Sequence, residues 1–127
     1  MESTPWTDGL LSDTRDVVRR LLGERLWDHD ELRREVVAYR AQVSAAARPY
    51  TDVQQAEALS VATLALLDRT AAEGPRARRL AQVAARYFVL QDDGDDDLSS
   101  PFGFDDDIEV FNAVVTALGQ PHHAIRY

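Results

Sequence analysis

Acidic side chains are concentrated in one short window of the chain. Nine of the 22 Asp and Glu residues fall between Asp92 and Glu109, and no basic residue lies among them. Outside this window 13 acidic residues face 14 arginines, so the window carries −9 of the formal charge and the remainder sums to +1. Clustered carboxylates attract cations and basic proteins, and the search for a functional site therefore starts here.

The first group of acids is typical of a docking surface for a protein with a basic surface. Five aspartates occupy six consecutive positions, where they repel one another and would steer an oppositely charged partner. Two phenylalanines follow and would supply apolar anchors beside the charge. The predicted partner-binding residues are Asp92, Asp93, Asp95, Asp96, Asp97, Phe102 and Phe104.

The same window offers the oxygen ligands that hard divalent cations need. An EF-hand does not fit, because its glycine placed at Gly94 puts Val89 in the first ligand position, and placed at Gly103 puts Leu98 there. The chain is otherwise expected to need no cofactor. An alternative is therefore a non-standard Ca²⁺ or Mg²⁺ site, with candidate ligands Asp97, Asp105, Asp106, Asp107 and Glu109.

A purely structural interpretation of the acids is also open. Asp105, Asp106 and Asp107 stand at the start of a predicted helix, where exposed carboxylates accept hydrogen bonds from free N–H groups and complement the helix dipole. The aspartates from Asp92 to Asp97 would then pair with arginines of the preceding helix or remain solvated.

The composition disfavours several classes of function. The chain has neither cysteine nor lysine, so it can supply no thiol nucleophile, Schiff-base lysine or P-loop lysine. A net charge of −8 argues against nucleic-acid binding. We expect no enzyme, because catalytic motifs such as His-Glu-x-x-His and Gly-x-Ser-x-Gly are missing and an exposed aspartate run offers no acid–base pair with differing environments.

Two sequence features bear on localisation. The first ten residues lack the basic start and apolar stretch of a secretory signal. The longest uncharged apolar stretch, Ala58 to Leu67, is about half the length that a membrane span needs. We therefore expect a cytoplasmic protein with no transmembrane segment, and leave the oligomeric state open.

Apolar residues recur at helical spacing through most of the chain. Caps and breakers place helices from Ser12 to Leu22, from Asp28 to before Pro49, from Thr51 to Glu73, from Pro75 to Leu90, and from Asp105 to Leu118. These elements predict a single all-α domain over residues 1–127, a compact bundle of about five helices. A long acidic loop joins the fourth and fifth helices.

The third and fourth predicted helices differ in polarity. From Ala58 to Leu67 only Ser60 and Thr63 are polar, which is typical of the central helix of a bundle. The fourth helix is amphipathic and is expected to bury Leu80, Val83, Ala84, Tyr87 and Phe88. Its arginines, Arg76, Arg78, Arg79 and Arg86, are expected on the outside.

The segment from residue 79 to residue 119 resembles the YkvA-like domain, an uncharacterised helix–loop–helix family. Tyr87 matches the family's first aromatic residue, Gly103 and Phe104 its glycine–aromatic pair, and Asp106 and Asp107 its closing acid pair. Asp93 or Asp97 stands where the middle acids of the family lie, whereas the loop prolines are missing except Pro101. The resemblance implies a helix–loop–helix with a functional acidic loop and no particular reaction.

These observations predict a small helical protein that acts by binding another protein, as an accessory or adaptor subunit, through its Asp-rich loop. A divalent-metal-binding helical module is the alternative. A further alternative is an immunity-type inhibitor of a basic toxin.

Overall fold

The computed structural model describes residues 5–46, 53–90 and 105–125, and within these ranges the secondary structure is entirely helical. Short 3-10 turns at Pro5–Thr7 and Pro121–His123 flank the bundle. The α-helices are α1 (Ser12–Leu22), α2 (His29–Ala46), α3 (Val53–Thr70), α4 (Pro75–Val89) and α5 (Asp105–Ala117). The helices pack against one another, which confirms the predicted all-α bundle.

Capping residues set several of the helix ends. The Asp28 carboxylate accepts a hydrogen bond from the Asp30 N–H at 3.2 Å, so Asp28 caps α2 as its sequence predicts. Pro75 opens α4 directly after Gly74, whose φ of 99° favours glycine. Gly119 has a φ of 76° and terminates α5 in the left-handed conformation.

The helix α3 ends three residues earlier than its sequence indicates. It ends at Thr70 rather than at Glu73. The Thr70 hydroxyl, which is buried, donates to the Leu66 carbonyl oxygen at 2.9 Å. This bond satisfies the buried hydroxyl, which also lies 3.3 Å from the Leu67 carbonyl oxygen of the last turn, and the chain then turns towards Pro75.

The central helix of the bundle is α4, and the prediction that α3 is central is wrong. The helix α4 contacts α1, α2, α3 and α5, and it buries nine residues. Its small residues Ala77, Ala81, Ala84 and Ala85 are all buried and allow neighbouring helices to approach from several sides. By contrast, α3 exposes Ala58, Val61 and Ala65.

Two buried clusters form the core around α4. The larger cluster joins α2, α3, α4 and α5, and the smaller one joins α1, α4 and α5. All five residues that were expected to face inward from α4 are buried, as are Leu59, Leu66, Ile108, Phe111 and Val115. Among the helices that the structure describes, none is long and apolar enough to cross a membrane.

Candidate functional site

The predicted partner-binding residues lie outside the described part of the chain. Asp92, Asp93, Asp95, Asp96, Asp97, Phe102 and Phe104 all belong to the interval 91–104. The helices on either side of this interval are described. The helix α4 ends at Val89 and α5 begins at Asp105.

The ends of these two helices lie at the same end of the bundle. Tyr87, from the last turn of α4, and Val110, from the first half of α5, belong to one buried cluster. Tyr87 is fully buried and its hydroxyl lies 3.5 Å from the Thr14 hydroxyl oxygen of α1. The acidic interval is therefore joined on both sides to helices that the core holds in place.

The acids at the start of α5 have different environments. Asp106 is half-buried, Asp107 is 3% exposed and Glu109 is exposed. Asp107 is therefore a buried member of the acidic group in the first turn of α5, so the interaction energy of exposed carboxylates with a helix dipole does not apply to it. Asp107 precedes the buried residues Val110 and Phe111 by three and four positions, and it therefore shares their inward face.

This arrangement separates two of the candidate metal ligands. Asp107 and Glu109 are two positions apart, which places their side chains on roughly opposite sides of a helix. Within residues 5–46, 53–90 and 105–125, no group of three His, Cys, Asp or Glu side chains could hold a metal ion. A site that includes Asp97 stays a prediction.

The main polar site of the described chain lies between α4 and the connection from α1 to α2, which comprises residues 23–28. Gln82 of α4 is 1% exposed and contacts this connection with both ends of its amide. Its Nε2 donates to the Arg25 carbonyl oxygen at 2.7 Å, and its Oε1 accepts from the Trp27 N–H at 2.7 Å. A loop without its own ladder of hydrogen bonds thus gains a fixed partner for two backbone groups.

Two α4 arginines bind backbone carbonyls of the same region. Arg79 donates to the carbonyl oxygens of Leu22 at 3.0 Å and Glu24 at 2.6 Å. Arg78 donates to the Trp27 carbonyl oxygen at 3.2 Å. Leu22 is the last residue of α1, so Arg79 places a positive charge at the negative end of that helix dipole.

Arg86 also contacts the connection between α1 and α2, through an ion pair and through stacking of its guanidinium group on an aromatic ring. Its Nε lies 3.1 Å from the Glu24 carboxylate, and both side chains are less than one-third exposed. Its guanidinium carbon lies 4.6 Å from the centre of the Trp27 ring, and that of Arg25 lies 5.0 Å from the same ring. These cation–π distances are within the attractive range. The expectation that the arginines are on the outside is thus wrong for Arg78, Arg79 and Arg86, which are half-buried.

A small cavity lies beside this contact. It is lined by Trp27, His29, Leu32, Leu67, Thr70, Ala71 and Arg78, and its volume of about 10 Å³ admits roughly one water molecule. At its rim the His29 Nε2 lies 3.1 Å from the Asp68 carboxylate, which also accepts bonds from Arg33 at 2.7 Å. The cavity is too small for an organic substrate, and these polar groups join α2 to α3.

Comparison of the chain with protein-family models, curated proteins and solved structures finds no match. The resemblance to the YkvA-like domain therefore stays a prediction. Of the residues that carry it, Tyr87 and Asp107 are buried, Asp106 is half-buried, and Gly103 and Phe104 lie outside the described residues.

Proposed function

We propose that this protein binds a second protein with a basic surface, as a cytoplasmic accessory or adaptor subunit, and that Asp92–Asp97 form the main contact. The observation that carries the proposal is the concentration of nine acids in one window with no basic residue, beside a nearly neutral remainder. Clustered charge of one sign accelerates association with an oppositely charged partner. Phe102 and Phe104 would add apolar contact area beside the charge.

The contacts of Arg78, Arg79 and Arg86, three of the four arginines of α4, argue against neutralisation of the aspartates by those three side chains. Pairing of the aspartates with arginines of α4 is the simplest structural explanation for them. Arg78, Arg79 and Arg86, however, already bind carbonyl oxygens and a carboxylate between Leu22 and Trp27. Redirecting these arginines to the aspartates would leave those half-buried partners without their bonds, at a cost of about 1–3 kcal/mol each.

The first experiment is a pull-down with the full chain from its host, with the bound proteins identified by mass spectrometry. Association of the captured partner is then measured at several salt concentrations. The test variant replaces the five aspartates at positions 92, 93, 95, 96 and 97 by asparagine. We expect association to slow at least about tenfold at low salt, and its salt dependence to weaken. Circular dichroism should show unchanged helicity.

A matched control changes the same amount of charge elsewhere. It neutralises five exposed acids outside the window with the corresponding amides, at Asp8, Asp13, Asp16, Glu35 and Glu73. This control should associate at nearly the wild-type rate if the local cluster steers the partner. Equal slowing in both variants would show that only net charge matters, and equal binding by the asparagine variant and wild type would refute the proposed contact. Repeating the assay with a chelator separates direct binding from binding through a metal ion.

A further inference from the structure

Two exposed valines lie on the outer face of the α2–α3 pair. Val37 is 49% exposed and Val61 is 54% exposed, and together with Leu11 they are the exposed large apolar residues of the described chain. The exposed residues Ala41, Ala58 and Ala65 lie on the same outer face by helical spacing. The face therefore carries two valines and three alanines, and arginines of α2 lie beside Val37.

Two ion pairs fix the register of this face. Arg33 bonds Asp68 at 2.7 Å, and Arg40 bonds Glu57, so α2 and α3 run antiparallel. Val37 stands between the two arginines along α2, and Val61 stands between the two acids along α3. Val37 and Val61 thus lie at about the same height along the helix axes, between the two ion pairs.

The charges on the face are segregated by helix. Around the two valines α2 supplies Arg33, Arg34 and Arg40 and α3 supplies Glu57 and Asp68, whereas the acidic Asp30 of α2 lies about one turn before Arg33. If a second copy met this face through a two-fold axis perpendicular to the helices, arginine would face arginine and acid would face acid. An axis parallel to the helices instead places α2 of one copy over α3 of the other, so that opposite charges and the valines Val37 and Val61 meet.

We propose that the outer face of α2 and α3 binds a second copy of this chain about an axis parallel to the helices. The four helices then form an antiparallel four-helix arrangement in which each helix has antiparallel neighbours. Each helix has 18 residues. Helices of that length are about 27 Å long, so two of them bury on the order of 500 Å² per copy, at the low end for specific interfaces. For an interface of this size we expect a reversible dimer, and the concentration range of the test is chosen accordingly.

The test is sedimentation velocity of the full chain from about 5 to 500 µM. The weight-average mass should rise with concentration from 14.2 kDa towards twice that value. Val37→Glu places an acid opposite the carboxylates of the partner's α3, and Val61→Arg places a cation opposite the arginines of the partner's α2. Each variant alone should remain a monomer at concentrations where wild type is mainly dimeric.

An equimolar mixture of the two variants tests the orientation of the axis. In the proposed arrangement Glu from one variant meets Arg from the other at one contact, while valine meets valine at the second contact. The mixture should therefore recover dimer that neither variant forms alone. A perpendicular axis brings like helices together and offers no such pair, so a mixture that stays monomeric overturns the proposed orientation.

Leu11→Glu is the matched control, because Leu11 is exposed and apolar but precedes α1. This variant should dimerise as wild type does, and thermal melts should confirm that all three variants are folded. A wild-type chain that remains a monomer up to about 500 µM refutes the dimer, as do Val37→Glu and Val61→Arg variants that dimerise normally. The variant with five asparagines in the acidic segment should also dimerise normally, so the two proposals fail independently.

Discussion

Gln82 shows how a single polar side chain can organise a region of this bundle. It lies on the central helix and is nearly inaccessible to solvent, yet both ends of its amide are bonded, the oxygen to a backbone N–H and the nitrogen to a backbone carbonyl oxygen. Buried amides destabilise a core unless their hydrogen bonds are made, and here both bonds hold the connection from α1 to α2. The residue therefore stabilises the position of α1 as well as its own helix.

Gln82→Leu is expected to destabilise the protein by about 2–4 kcal/mol. Leucine fills a similar volume but leaves the Trp27 N–H and the Arg25 carbonyl without their partner, at about 1–3 kcal/mol for each group. Urea melts measure the loss. Gln42→Leu on the exposed face of α2 is the control and should change stability by less than about 0.5 kcal/mol. Equal melts for the two variants would contradict the assigned role of Gln82.

The pairing of Arg86 with Glu24 gives a second prediction. Because the ion pair is mostly shielded from solvent and the guanidinium also contacts Trp27, a double-mutant cycle with alanine should give a coupling free energy of about 1 kcal/mol. The exposed pair Arg25–Glu31, at 3.4 Å, serves for comparison and should give a smaller value. In a Trp6→Phe background, tryptophan fluorescence reports whether the Trp27 ring moves. A coupling of zero for Arg86 and Glu24 would contradict a net stabilising contribution from this contact.

The sequence alone does not predict these residue contacts, and the reason is physical. Gln82 bonds backbone groups of residues 55 and 57 positions away in the sequence. Every residue has a backbone carbonyl, and nearly every one has an N–H, so the residue types at those positions do not indicate the contact. A glutamine among Leu80, Val83 and Ala84 does break the apolar face of α4, and this was the available signal. Long charged side chains are usually solvated, so the α4 arginines are expected on the outside. Here the guanidinium groups instead reach carbonyl oxygens of the short connection between α1 and α2.

At the scale of elements, helical spacing predicts the positions of the helices well, but the polarity of the helices identifies the wrong one as central. The capping signals at Asp28, Pro75 and Gly119 depend on local geometry, and the structure confirms each of them. Which helix is central depends on how the helices pack in three dimensions. The average apolarity of a helix predicts this position poorly. The helix α3 is the more apolar, yet part of its surface consists of exposed valine and alanine.

Leu66→Ala tests the packing of α3 against its neighbours. Leu66 is fully buried, so truncation should leave a cavity and reduce the free energy of unfolding by about 2–5 kcal/mol. Arg33→Ala removes an ion pair between partly exposed side chains and should cost less than about 1 kcal/mol. Urea melts should separate the two variants clearly. Similar losses would mean that α3 does not bury Leu66 as described.

At the scale of the whole molecule, the two proposed contacts lie on different elements. The acidic segment joins α4 to α5, whereas the self-association face belongs to α2 and α3. The smaller core cluster holds α4 and α5 next to the acidic segment, and the larger cluster packs the inner sides of α2 and α3. A dimer would present two acidic segments, which could increase the apparent affinity for a partner with two basic sites.

Divalent metal provides a whole-molecule test of the alternative function. A cation that binds only the folded state raises the melting temperature. Because the structure buries Asp107 and exposes Glu109, these residues are not expected to share one ion. We expect about 5 mM calcium or magnesium to shift the melting temperature by less than roughly 1 °C. A rise of several degrees that Asp97→Asn abolishes would instead favour a metal-binding module.

The central position of α4 has a consequence for synthesis of the chain. The groups that hold the α1–α2 connection are supplied 51 to 62 positions later in the sequence. At a translation rate of about 5–20 residues per second, α1 waits roughly 3–12 seconds for these partners. Helices α2 and α3 are adjacent in sequence and can pair earlier. The apolar side of α1 therefore has no α4 to pack against during this interval, and we predict that slow codons before or within α4 lower the yield of folded protein without altering its equilibrium stability.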